Sequence, residues 1–180
     1  MHIVSSGQIE LRRQLVDLLP RMRRFALVLT RSSDMADDLV QSSAARALER
    51  HAQWEDGTRL DHWLFRIIKT VWLNGRKAAS LRQTEPLDDQ TDTGAVDGSA
   101  AMEAHMTLKE VRAAFARLPE DQQRALFLVS VEGYSYREAA DLLDVPLGTV
   151  ISRIARGRVA LAQRTAENTD KIVVLRRNRS

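Results

Sequence analysis

The chain has 180 residues, 44% of them hydrophobic, which suffices for one medium domain or two small ones and excludes wholesale disorder. It has no cysteine, which excludes disulfides, thiol redox sensing and cysteine-ligated zinc, and it has no run near the ~20 apolar residues of a membrane span. The formal net charge is only +3, but the basic residues are nearly all arginine, with Lys69, Lys77, Lys109 and Lys171 as the only lysines; arginine forks onto phosphates and guanine edges better than lysine does.

Only 8 glycines and 4 prolines punctuate the chain, which favours helices over a turn-rich β fold. The first ten residues carry no leader pattern, so a cytoplasmic protein without membrane insertion is expected. Helical periodicity fills residues 9–79. Pro20 is expected at a helix start or a kink, because it cannot donate the backbone bond of a helix interior. An amphipathic helix follows over 21–29. The polar turn from Thr30 to Asp34 stops it and caps the next, over 34–51. There Ala36, Leu39, Val40, Ser43, Ala44, Ala47 and Leu48 recur at three- and four-residue steps and predict the buried stripe. A polar loop around Trp54 leads to a third helix over 60–78. Leu60, Leu64, Ile67, Ile68 and Val71 form its apolar stripe, and His62, Arg66, Lys69, Leu73 and Arg76 a mostly basic one.

Residues 80–101 hold Glu85, Asp88, Asp89, Asp92 and Asp97 with few apolar residues, and predict a flexible acidic linker. Helical patterning resumes over 102–165. Pro119, Glu120 and Asp121 open a helix with proline and acids where they are favourable, and Gly133 ends it. Ser135 and Glu138 match a capping box for a short helix over 136–143. Asp144 to Pro146 make a tight turn into a last helix. Val150, Ile154, Gly157 and Leu161 face its core, and Thr149, Ser152, Arg153 and Arg156 share the other side. A short helix, a tight turn and a helix with hydroxyls and arginines on one face is the layout of a DNA-reading helix-turn-helix. A structural hairpin with a solvated face would show the same residues without needing that box and turn. Residues 166–180 form a tail with no assigned role.

Three motifs in order carry a family resemblance. The stretch from Arg117 to Gln122, then Glu132 to Ala140, then Val145 to Arg153, resembles region four of the extracytoplasmic-function (ECF) sigma factors of the sigma-70 family. Asp37-Asp38-Leu39-Val40-Gln41 resembles the core-polymerase-binding segment of sigma region two, and Trp63-Leu64-Phe65 with its helix resembles the segment that reads the minus-ten element. The resemblance spans about residues 18–163. It departs from the family at Ser42, Thr70 and Asn74.

The resemblance implies an all-α protein of two small helical domains. The first, 9–79, would dock on core RNA polymerase through Asp37, Asp38, Leu39, Val40 and Gln41. It would hold minus-ten DNA with Trp54, Trp63, Arg66, Lys69, Asn74 and Arg76. Aromatic surfaces and a basic track are what unpaired bases require; core packing is the favoured account of either tryptophan alone, and the basic stripe is the stronger candidate. The second, 102–165, would read the minus-35 element of promoter DNA with Thr149, Ser152, Arg153 and Arg156. The function implied is an alternative sigma factor, stress-responsive and held by an anti-sigma factor. It would have no cofactor, no metal and no catalytic activity. The competing reading is a helix-turn-helix regulator that never joins polymerase. An enzyme is disfavoured because His2, His51, His62 and His105 are scattered and no phosphate loop or nucleophile elbow is present.

Overall fold

The computed structural model describes residues 6–54, 58–82 and 102–177, with side chains over 9–54, 58–81 and 108–165. Seven α-helices occupy the described residues, and no strand occurs among them. The chain divides into two compact units, Met1–Gly94 and Ala95–Ser180. All three tryptophans, Trp54, Trp63 and Trp72, fall in unit 1, and both tyrosines, Tyr134 and Tyr136, in unit 2. Most of the expected linker, 83–101, lies outside the described residues.

Unit 1 packs α1 (Ser6–Thr30), α2 (Ser33–Glu49) and α3 (Leu60–Arg82) pairwise against one another. Leu11, Leu15, Met22, Phe25, Ala36, Leu39, Leu64, Phe65 and Ile68 fill the space between them. The rings of Phe25 and Phe65 stack at 4.6 Å and join α1 to α3. Pro20 neither starts a helix nor divides one, since α1 runs through it. Its missing N–H deprives the Val16 carbonyl of a partner, but Pro20 and Val16 are both exposed, so water can take that bond. Buried Leu11 and Leu15 before it, and Met22 and Phe25 after it, pin both halves to the core. Ser32 caps α2, its hydroxyl accepting from the Met35 N–H. α2 ends at Glu49, and a single 3₁₀ turn, His51–Gln53, completes the stretch expected as helix. α3 continues to Arg82, past the helix end expected at 78.

Unit 2 holds α4 (Met102–Ala116), α5 (Glu120–Leu126), α6 (Tyr136–Leu143) and α7 (Leu147–Arg177). α4, α5 and α6 each pack on α7. Gln123, nearly buried, donates to the Ala116 and Leu118 carbonyls and ties the end of α4 to α5. α5 widens into a π turn, Phe127–Val131, and Gly133 then reverses the chain at φ +73°. The expected capping box is present: the Glu138 N–H donates to the Ser135 hydroxyl, and the Ser135 N–H to the Glu138 carboxylate at 2.7 Å. Asp144, at φ +59°, closes α6 in the left-handed region and starts the tight turn. α7 continues to Arg177, past the block expected to end at 165, so its backbone takes in most of the C-terminal tail.

Candidate functional site

Two surfaces carry the residues singled out in the sequence. On α2 the five-residue motif divides by burial. Leu39 and Val40 point into the core, 7% and 9% exposed. Asp38 and Gln41 lie on the outer face with Met35, Ser42 and Ala45. Asp37 is engaged inside the unit. Its carboxylate accepts from Arg23 Nε at 2.6 Å and Nη2 at 3.2 Å, while Arg23 Nη2 also reaches the Ser33 hydroxyl at 2.9 Å. The hydrogen bond from Arg23 holds the Asp37 carboxyl below its usual range. The motif therefore offers two outward polar side chains on a helix braced by the other three residues.

α3 carries the aromatic and basic candidates. Trp63 is half-buried, Arg66 and Asn74 are exposed, and Lys69 is half-buried. The Arg76 guanidinium lies over the Trp72 ring, 5.2 Å from its centroid, at the four-residue step that aligns side chains on one helix face. Trp72 is thereby drawn into this surface, and the i, i+4 spacing to Arg76 was the signal for it. Trp54, half-buried, follows the 3₁₀ turn at the edge of the undescribed residues 55–57.

The entrance to α3 is built on Asp61, which periodicity alone did not mark. Its carboxylate accepts from Arg59 Nη2 at 2.8 Å, Arg21 Nη2 at 3.0 Å and the His62 N–H at 2.9 Å. Burial pushes this carboxyl up. The Arg59 hydrogen bond, the charges of Arg59 and Arg21 and the His62 N–H together outweigh burial, and its pKa lies below the ordinary value. Arg59 is the residue through which the loop after Trp54 enters the helix, so Asp61 ties that loop to α1 and α3 together.

In unit 2 the α7 candidates form a chain of contacts along the helix. The Ser152 hydroxyl donates to the Thr149 carbonyl at 2.9 Å. Arg156 folds back onto Ser152, its Nε 3.3 Å from the backbone oxygen and its Nη2 3.3 Å from the hydroxyl. Ser152 and Arg156 are exposed and Thr149 is half-buried. Arg153 departs from the single exposed stripe expected for these four residues. It is half-buried on the flank toward α5, paired with Asp121 at 2.9 Å. Val150 and Ile154 are buried as expected. Gly157 is buried as well, because α7 crosses α5 there: a Cβ on it would stand 2.6 Å from Leu126 Cδ1.

Among the described residues no cluster of acids and histidines is placed to hold a metal ion, and no helix is long and apolar enough to cross a membrane.

Comparison with known proteins places both units. Residues 108–161 match the family described as Sigma-70, region 4, and residues 15–69 match the Sigma2 domain of PhyR. The chain is 35% identical over 153 residues to the ECF RNA polymerase sigma factor EcfG of Rhodopseudomonas palustris, covering 84% of this chain and 83% of that protein. It is 33% identical over 143 residues to the ECF RNA polymerase sigma factor SigM of Mycobacterium tuberculosis, covering 79% and 70%. A crystal structure of the sigma factor RpoE in complex with the anti-sigma factor NepR, from Bartonella quintana, matches with a TM-score of 0.69 at 26% identity, over 86% of this chain and 96% of that one.

Proposed function

The chain belongs to the ECF RNA polymerase sigma factors, and from that premise we infer that its two units divide promoter recognition between them. The protein is an alternative sigma factor that binds core RNA polymerase and directs initiation at specific promoters under the control of an anti-sigma factor. Unit 1, about residues 9–79, docks on core polymerase with Asp38 and Gln41. Asp37, Leu39 and Val40 hold the docking helix in place. The Trp54 loop, Trp63, Arg66, Lys69, Asn74 and Arg76 take the minus-ten strand, where aromatic faces accept unstacked bases and the basic groups follow the backbone. Unit 2, about residues 102–165, lays α7 in the major groove of the minus-35 element with Thr149, Ser152 and Arg156 outward and Arg153 on their flank. The protein works beside the polymerase in the cytoplasm and performs no reaction of its own.

The observation that carries the docking assignment is the α2 face, where Asp38 and Gln41 stand outward over buried Leu39 and Val40. Asp38→Arg combined with Gln41→Ala should weaken core polymerase binding at least tenfold in a titration, with helix content unchanged. A double variant that binds core as tightly as the parent rejects this surface. A helix-turn-helix regulator that never joins polymerase would show no core binding in the parent either.

A further inference from the structure

Arg153 stands apart from the other polar residues of α7. The core side of this helix is marked by Val150, Ile154 and Gly157. At about 100° per residue, Ser152 and Arg156 lie well round from that side, whereas Arg153 lies on its α5 flank. There its guanidinium pairs with Asp121 at 2.9 Å.

A second contact lies one turn further along α7. A Cβ on Gly157 would meet Leu126 Cδ1 at 2.6 Å and Gln122 Cβ at 3.4 Å, so the two helices cross with no side chain from α7 between them. A glycine crossing lets backbones approach closely, but its smooth surface does little to resist rotation of α7 about its own axis. The Arg153–Asp121 pair is off that pivot and adds a directional tie on the α5 side to the packing of α4 and α6 on α7. The roll matters at the hydrogen-bond scale. At a helix surface radius of about 5–6 Å, a roll of about 20° moves the outer part of a side chain by about 2 Å, and a hydrogen bond tolerates only a few tenths of an ångström. Thr149, Ser152 and Arg156 are tied to one another along the helix, so they carry any roll as one body.

We propose that Asp121 is a positioning residue for promoter reading: through Arg153 it fixes the roll of α7 so that Thr149, Ser152 and Arg156 meet the upstream element in register. Arg153 then braces the reading helix and reads no base itself. The proposal rests on unit 2 being the DNA-reading unit, and its test separates the two.

The test uses the full chain in holoenzyme. The probe is a pool of promoter duplexes with a randomised upstream element, from which the parent holoenzyme selects its preferred sequence. Discrimination is the ratio of binding to that sequence over the pool, measured across a salt series beside a melting curve for each variant. Asp121→Asn should lower discrimination about tenfold, the scale of one good base contact. The slope against salt should stay unchanged, because no phosphate contact is lost. Asp121→Glu and the exchange Asp121→Arg with Arg153→Asp should restore most of it, at melting temperatures near that of the parent. Two results overturn the proposal. In one, Asp121→Asn keeps full discrimination while Arg156→Ala loses it, so the pair is only structural. In the other, Asp121→Asn binds the whole pool more tightly with a salt slope steeper by about one phosphate, so Asp121 screens Arg153 from DNA instead. Full discrimination in Arg156→Ala as well rejects unit 2 as the reading unit. If Asp121→Asn does not fold, the exchange decides alone: restored discrimination supports the brace, and a folded exchange without it overturns the brace.

Discussion

Asp61 accepts from Arg21, Arg59 and the His62 N–H while only 9% exposed, and is the one buried carboxylate among the described residues of unit 1. Its folded pKa lies below the ordinary 3.8. The unfolded chain therefore binds the proton first as pH falls. The stability Asp61 contributes is fully present above the unfolded value and is lost as pH drops through the folded one. Asp61→Asn should cost about 2 kcal/mol at neutral pH. The gap between its melting temperature and that of the parent should close below about pH 4, as followed by circular dichroism over a pH series. A gap that stays constant into acid would mean the carboxylate charge contributes nothing. Such pairs explain what spacing left unread. Arg23–Asp37 and Arg21–Asp61 join residues 14 and 40 positions apart, and helical periodicity relates only neighbours one turn away. Asp37 and Asp38 stand side by side in the sequence, yet Arg23 on α1 pairs with the half-exposed Asp37 while Asp38 lies on the outer face.

Among the elements, the short helices were legible where local chemistry decides them. The capping box of α6 closes on an eight-residue helix that has few other means of starting. Ser135→Ala should cost about 1 kcal/mol in thermal denaturation, and a loss below ~0.3 kcal/mol would show that packing on α7 alone starts α6. The α5–α7 crossing was legible only as a glycine on the core stripe. Gly157→Ala should gain up to ~1 kcal/mol of helix propensity, but its methyl must displace Leu126, itself 4% exposed, and overpacking costs about 1–3 kcal/mol. The expected net result is a melting temperature lower than the parent's; a higher one would show that Leu126 swings aside freely. Pro20 does not start a helix, for the opposite reason. A proline in a helical pattern signals a boundary locally, but the apolar residues on both sides of it are buried in the same core, and packing overrode the local signal.

For the whole molecule, the chain divides into two compact units, and the acidic stretch expected as a linker lacks the apolar residues a shared core would need. We expect residues 1–94 and 95–180, produced separately, each to melt cooperatively with helical circular dichroism; a half that stays unfolded alone would mean that its core depends on the other. The partition of aromatic residues allows the same question to be put to the intact chain. Every indole is in unit 1 and every phenol in unit 2, so tryptophan emission follows the unfolding of unit 1 alone while far-ultraviolet ellipticity sums over both units. Coincident curves would mean that the two halves melt together, and an emission midpoint displaced from the ellipticity midpoint would resolve them. The chain thus carries its own pair of optical labels, one for the half assigned to the polymerase and one for the half assigned to the upstream DNA, with no dye to attach.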